Sequence, residues 1–237
     1  MKHTYFLLIG SLLLAGTAHA QATFSIGPRV GGNLSSAHFS TKGQTSYVSS
    51  AYTNRQGFEA GLTSTVQLGH LAVQPSLLFS QKGYRGSGYS LSFDMLSSYE
   101  QDVRLNYLTL PLNLAFTLGH DGQGLQILAG PYASLLVGGN YAQQVSGFEE
   151  TTGKIKAASI VSDPRFNKQY AQRFDAGLQA GVGYRLKALQ LQATYSLGLR
   201  NVAVPYRGYD GKLYYYTQDY YNRAFQVSLS YLVSARG

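Results

Sequence analysis

The chain has 237 residues, no cysteine and a formal net charge of +8, with 13% charged residues beside 27 glycines and 20 tyrosines. Ordinary soluble domains carry about 25% charged residues, so much of this surface is expected to face something other than water. The cations Lys42, Arg55, Lys82, Arg85, Lys154, Lys156, Arg165, Lys168, Arg207 and Lys212 are scattered, mostly through segments read as connections, and form no stripe of the kind nucleic acid would need.

Residues 1–20, MKHTYFLLIGSLLLAGTAHA, join Lys2 to an apolar run and end in small residues at Ala18 and Ala20. That pattern predicts a cleaved secretory signal peptide, with the mature chain starting at Gln21. The run is shorter than the roughly 20 residues a membrane-crossing helix needs. Residues 21–237 are expected to form one domain, because no Pro/Ser-rich linker or charge block divides them. Without disulfides, backbone pairing and packing must hold that domain together.

Eight segments alternate with period two, and helical periodicity is nearly absent. The apolar positions begin with Phe24, Ile26, Val30 and Leu34, then Phe58, Ala60, Leu62, Val66 and Leu68. A third row holds Leu71, Val73, Leu77 and Phe79, and a fourth holds the even positions from Leu108 to Leu118. Ile127, Ala129, Ala133, Leu135 and Val137 follow, then the even positions from Phe174 to Tyr184. The last two rows are the odd positions from Leu189 to Leu199 and from Phe225 to Val233.

The connections alternate as well. Gly69-His70, Gly119 to Gly124 and Lys187-Ala188 are short, whereas 39–56, 84–102, 139–172 and 201–222 are long. Short turns at one end and long loops at the other predict an eight-stranded, up-and-down antiparallel barrel in the outer membrane, its long loops outside the cell. A soluble eight-stranded barrel also alternates. The intervening face separates the two: Gly177, Gln179, Gly181, Gln190, Gln192, Thr194, Ser196, Gln226 and Ser228 are small or uncharged, where a water-facing surface would be rich in Lys and Glu. Such residues suit a crowded barrel interior, where Arg29, Glu59, Asp175, Arg185 and Arg200 are expected to pair as a charge network. Arg104 and Asn106 share parity with the fourth apolar row, which implies either a strand that outruns the membrane or a bulge. Pro28, Pro75, Pro111 and Pro131 fall inside strand patterns, which is unusual for paired strands.

The stretches YLTLPLNLAF (107–116), LAGPYASLLVGG (128–139), FDAGLQAGVGY (174–184) and YSLGLRNV (195–202) resemble the PorT-like outer-membrane β-barrel family, whose small members are often called porin family proteins. The resemblance covers most of residues 21–237 and implies an eight-stranded outer-membrane barrel, generally without an assigned activity. The end of this chain departs from that pattern: outer-membrane strands commonly finish on an aromatic, and here Tyr231 is followed by LVSARG.

Catalysis has little support. After residue 20 the histidines are His38, expected in the first long loop, and His70 and His120 in two short turns, a placement that does not gather a metal site. A lipid hydrolase or acyltransferase could join a serine to His38 and Asp94, but no G-x-S-x-G is present. The glycines of GLQAGVG lack the turn and helix of a phosphate loop. The chain is therefore read as a non-enzymatic, monomeric barrel without cofactor, embedded in outer-membrane lipid. The alternative is a narrow channel or porin-like transporter, if the loop 139–172 adds a hairpin through 158–162 and widens the barrel to ten strands. Tyr206, Tyr209, Tyr214, Tyr215, Tyr216, Tyr220 and Tyr221 crowd the fourth loop and are expected to form part of an aromatic girdle or a stacking surface for envelope glycan or protein.

Overall fold

The computed structural model describes residues 22–40, 49–92, 95–119, 122–161, 169–208, 210–215 and 219–235. Its strands are β1 (Thr23–Ser40), β2 (Ser49–Leu68), β3 (Leu71–Ser92), β4 (Met95–Thr117), β5 (Gly124–Val145), β6 (Thr151–Ala157) and β7 (Gln169–Ala171). They continue as β8 (Phe174–Leu186), β9 (Leu189–Gly198), β10 (Pro205–Arg207), β11 (Leu213–Tyr215), β12 (Asp219–Tyr231) and β13 (Val233–Ala235). Eight of them close a ring of antiparallel pairs in the order β1, β2, β3, β4, β5, β8, β9, β12 and back to β1. β13 extends β12 along β1, with Ile26 opposite Val233.

The apolar rows lie on the outer wall. Leu62, Leu112, Leu114, Leu178, Leu191 and Leu229 are each about half exposed, whereas their neighbours Thr63, Asn113, Gln179, Gln192 and Ser228 are buried within the ring. In water this arrangement would be inside out, while against hydrocarbon it buries apolar surface and leaves every strand paired. Short turns join β2 to β3 and β8 to β9, and both need left-handed backbone: Gly69 supplies it at φ 59° and Lys187 adopts it at φ 54°.

The long connections differ from the sequence expectation. Residues 84–92 are not loop but paired strand, running from Tyr84 opposite Val103 to Ser92 opposite Met95. From Phe79, the last apolar residue of its row, β3 runs on for roughly 40 Å at strand spacing. β5 likewise continues to Val145, opposite Tyr99. Part of the segment 139–172 does form strand, but it leaves the ring at eight: β6 pairs the upper end of β5 at Gly139 to Gln143, β7 runs parallel to β6, and the lower part of β5 pairs directly with β8. His38 lies on β1 rather than in a loop.

The anomaly at Arg104 and Asn106 has a specific cause. Odd residues of β4 point inward without a break from Val103 to Thr117, so Arg104 and Asn106 face outward above the apolar belt. The bulge sits on the partner strand: Asn106 opposes Gly138 while Tyr107 opposes Leu136, which leaves Val137 unmatched. Pro75 opposes Leu112, Pro111 opposes Tyr132 and Pro131 opposes Leu178, so three prolines cluster on adjacent strands, and the ladders between β3, β4 and β5 skip pairs beside them.

Candidate functional site

The lumen is filled by interlocked side chains in three tiers. At the periplasmic end, Arg29 donates from Nε and Nη2 to Glu59 Oε1 at 3.1 and 2.9 Å, and from Nη1 to Gln192 Oε1 at 2.9 Å. The chain of amides continues from Gln192 Nε2 to Gln74 Oε1 at 2.8 Å and from Gln190 Nε2 to Gln126 Oε1 at 3.2 Å. Gln126 Nε2 then donates to Thr117 Oγ1 at 3.2 Å. Side chains from six strands of the ring are thereby tied across the bore. Arg185 is also inside, where it donates to Ser25 Oγ at 3.0 Å and meets no carboxylate among the described residues.

Nearer the extracellular end, Lys82 Nζ approaches Asp175 Oδ2 at 3.4 Å, with both side chains at most 1% exposed. The same oxygen accepts from Tyr132 Oη at 3.3 Å and Asn222 Nδ2 at 3.0 Å. The Lys82 ammonium also lies 4.3 Å from the Tyr132 ring centre. Above this tier Phe39 stacks on Tyr52 at 3.8 Å, while Tyr84 and Tyr220 pack edge-on against the group. Burial pushes the Tyr84 and Tyr220 hydroxyls well above their ordinary range, so this lid is neutral.

Of the five residues expected in the interior network, Arg29, Glu59, Asp175 and Arg185 are inside and Arg200 is not. Arg200 follows Leu199 at the top of its row, faces outward and leans over the Phe174 ring at 5.9 Å. The partner of Asp175 is Lys82, a cation that the sequence pattern assigns to the connections. The apolar row of its strand ends at Phe79, and only the alternation Leu78, Ser80, Lys82, Tyr84 marks those residues as inward. Arg55 likewise belongs to a strand and not to a connection. It is buried on β2, and it crosses over Gly83, where a Cβ would fall 3.1 Å from Arg55 Cδ, to donate to Asp102.

The tyrosines of the fourth loop separate into different roles. Tyr206 on β10 and Tyr214 on β11 stack at 5.6 Å on a two-stranded sheet of their own, and Tyr214 Oη donates to Asp210 Oδ2 at 2.7 Å. That bond, with the backbone N–H of Lys212, holds the Asp210 carboxyl below its usual range. Tyr220 is buried in the lid and is no surface residue, because β12 already points it into the bore. Tyr221 is half-buried, Tyr215 closes the β10–β11 pairing through its backbone, and Tyr209 and Tyr216 lie outside the described residues. Among the described residues no three His, Asp or Glu side chains gather as a metal site, and His120 and Asp94 lie outside them.

Two clefts open on the outer face of the extracellular sheet. One, of about 340 Å³, is lined by Arg85, Glu100, Gln144 and Glu150. The other, of about 520 Å³, is lined by Arg55, Asp102, Arg104, Asn140 and Lys154. Asp102 bridges Arg55 and Arg85. Partial burial pushes its carboxyl up, but the two guanidiniums outweigh that and hold it below the usual range.

A family model for the outer membrane protein beta-barrel domain matches residues 19–204. The chain belongs to that family. It is an outer-membrane β-barrel of eight strands, with short turns on the periplasmic side and extended extracellular hairpins. Among solved structures, the barrel is similar to Ail of Yersinia pestis in complex with the heparin analogue sucrose octasulfate, at 11% identity and a TM-score of 0.44, covering 90% of this chain and 99% of that one. Neisserial surface protein A gives 11% identity and a TM-score of 0.40, with 88% and 96% of the two chains covered. OprG of Pseudomonas aeruginosa gives 12% and 0.38, with 92% and 99% covered. No curated protein matches the sequence.

Proposed function

We propose that this outer-membrane barrel is a non-enzymatic anchor whose task is surface interaction, performed by the extracellular sheet and by the β10–β11 hairpin. The observation that carries this reading is the filled lumen: the Arg29–Glu59–Gln192 tier, the Lys82–Asp175 tier and the aromatic lid leave the bore to side chains. Eight-stranded barrels have room for such a filling and little else. The same observation argues against the narrow-channel reading. What remains available for recognition is above the membrane, where Tyr206 and Tyr214 offer stacked rings with a polar tip, suited to an envelope glycan or protein. The reading also includes export through a cleaved signal peptide of residues 1–20, a monomeric state and membership of the PorT-like branch, all on the residues given above.

The test uses the refolded barrel and a Tyr206→Ser/Tyr214→Ser variant as baits against intact outer membranes and purified envelope glycans. Loss of a specific ligand from the variant, with unchanged heat-modifiable gel mobility, is expected. Binding of the same ligands by both proteins would move the interaction away from the hairpin.

A further inference from the structure

The outer face of β4 changes character with height. Above the apolar belt its outward positions run Leu108, Asn106, Arg104, Asp102, Glu100, from apolar through amide and cation to acid. Register carries the Arg104 row sideways across the sheet: Arg104 opposes Asn140 on β5, and Asn140 opposes Lys154 on β6. Arg104 and Lys154 are thus two strand spacings apart, roughly 10 Å. The 520 Å³ cleft lies over this row.

The charges of the cleft do not balance. Arg55, Arg104 and Lys154 line it with Asp102 as the single carboxylate, and Asp102 is already bridged to Arg55 and Arg85. Among the described residues no ion pair involves Arg104 or Lys154. Their height matters too. Four residues along a strand tilted by about 40° place Arg104 roughly 10 Å above Leu108, within side-chain reach of the headgroup layer. The same collar continues around the rim in Arg173 before Phe174, Arg200 after Leu199 and Arg223 before Phe225.

We propose that this cleft binds the phosphate of an anionic lipid headgroup in the outer leaflet. Arg104 and Lys154 clasp the phosphate oxygens from two sides, and Asn140 donates between them. The cleft is the lower of the two and adjoins the lipid edge, while Glu100 and Glu150 line the one above it, an order that repels a polyanion arriving from the medium and admits a phosphate from the membrane side. The occupant is therefore a lipid rather than a soluble glycan.

Native mass spectrometry of the refolded barrel, in micelles doped equally with phosphatidic acid and phosphatidylcholine, tests this. The parent should retain phosphatidic acid preferentially. An Arg104→Gln/Lys154→Gln variant should lose that preference by about thirtyfold, at about fivefold per interfacial cation. A Lys212→Gln variant, which removes a cation from the turn of the β10–β11 hairpin, should keep it. If the double variant does not fold, Lys154→Gln alone carries the test, with a loss of about fivefold. Equal losses in the test and control variants would overturn the proposal. So would displacement of the lipid from the parent by inositol hexakisphosphate at lower concentration, which would make the cleft a soluble-polyanion site.

Discussion

At the scale of single residues, the Lys82–Asp175 pair shows how this barrel tolerates charge inside its bore. Neither group reaches solvent, so their attraction must be supplemented by hydrogen bonds, and Tyr132 and Asn222 supply them on the carboxylate while the Tyr132 ring faces the ammonium. Lys82→Met removes only the cation and leaves Asp175 buried with its charge. The expected loss of folding free energy is about 3–5 kcal/mol, the usual consequence of breaking a buried pair on one side. Adding Asp175→Asn should restore much of it, since a neutral amide needs no counterion. Urea titration in lipid vesicles reads both variants, and a double variant as unstable as the single one would mean that the charge itself is not what matters.

At the scale of the strand, alternation is the feature that sequence made legible, and the lipid-facing rows lie where the periodicity placed them. β4 offers a direct comparison of its two faces. Leu112 stands in the middle of the outer row, about half exposed, and Leu112→Arg should cost about 2–4 kcal/mol near the bilayer midplane. The adjacent Asn113 is buried in the bore, where its Oδ1 accepts from Gln179 Nε2 at 2.8 Å. Asn113→Ser should cost only about 1–2 kcal/mol, for a hydrogen bond lengthened or lost. Equal costs in vesicle refolding would show that the two faces do not differ in environment. Strand ends were harder to read. The apolar signal stops at the membrane edge, but β3, β4 and β5 do not, because above the membrane their outward positions become Arg85, Arg104, Glu100 and Gln144 and no longer look like one side of a strand. That is why the sequence places Lys82 and Arg55 in connections, and why Arg200, at the end of a row, has the parity of an interior residue.

At the scale of the whole molecule, the fold follows from an imbalance: too few charges to cover a soluble surface, and enough small and amide side chains to fill a narrow bore. The ring order and the eight-strand count were within reach of the sequence, since each row and turn could be counted. The contents of the bore were not, because the amide relay from Arg29 to Thr117 joins residues far apart in the chain that only ring closure brings together. The extracellular sheet and its clefts depend in turn on register, including the unmatched Val137 that turns the upper part of β5. A closed lumen beneath a tall surface sheet is the arrangement on which the proposed role depends. Planar-bilayer recording of the purified, refolded barrel tests it most directly: the filled bore predicts no stable conductance steps at any voltage the membrane tolerates, whereas reproducible unitary steps from the parent protein would contradict it and make the chain a channel.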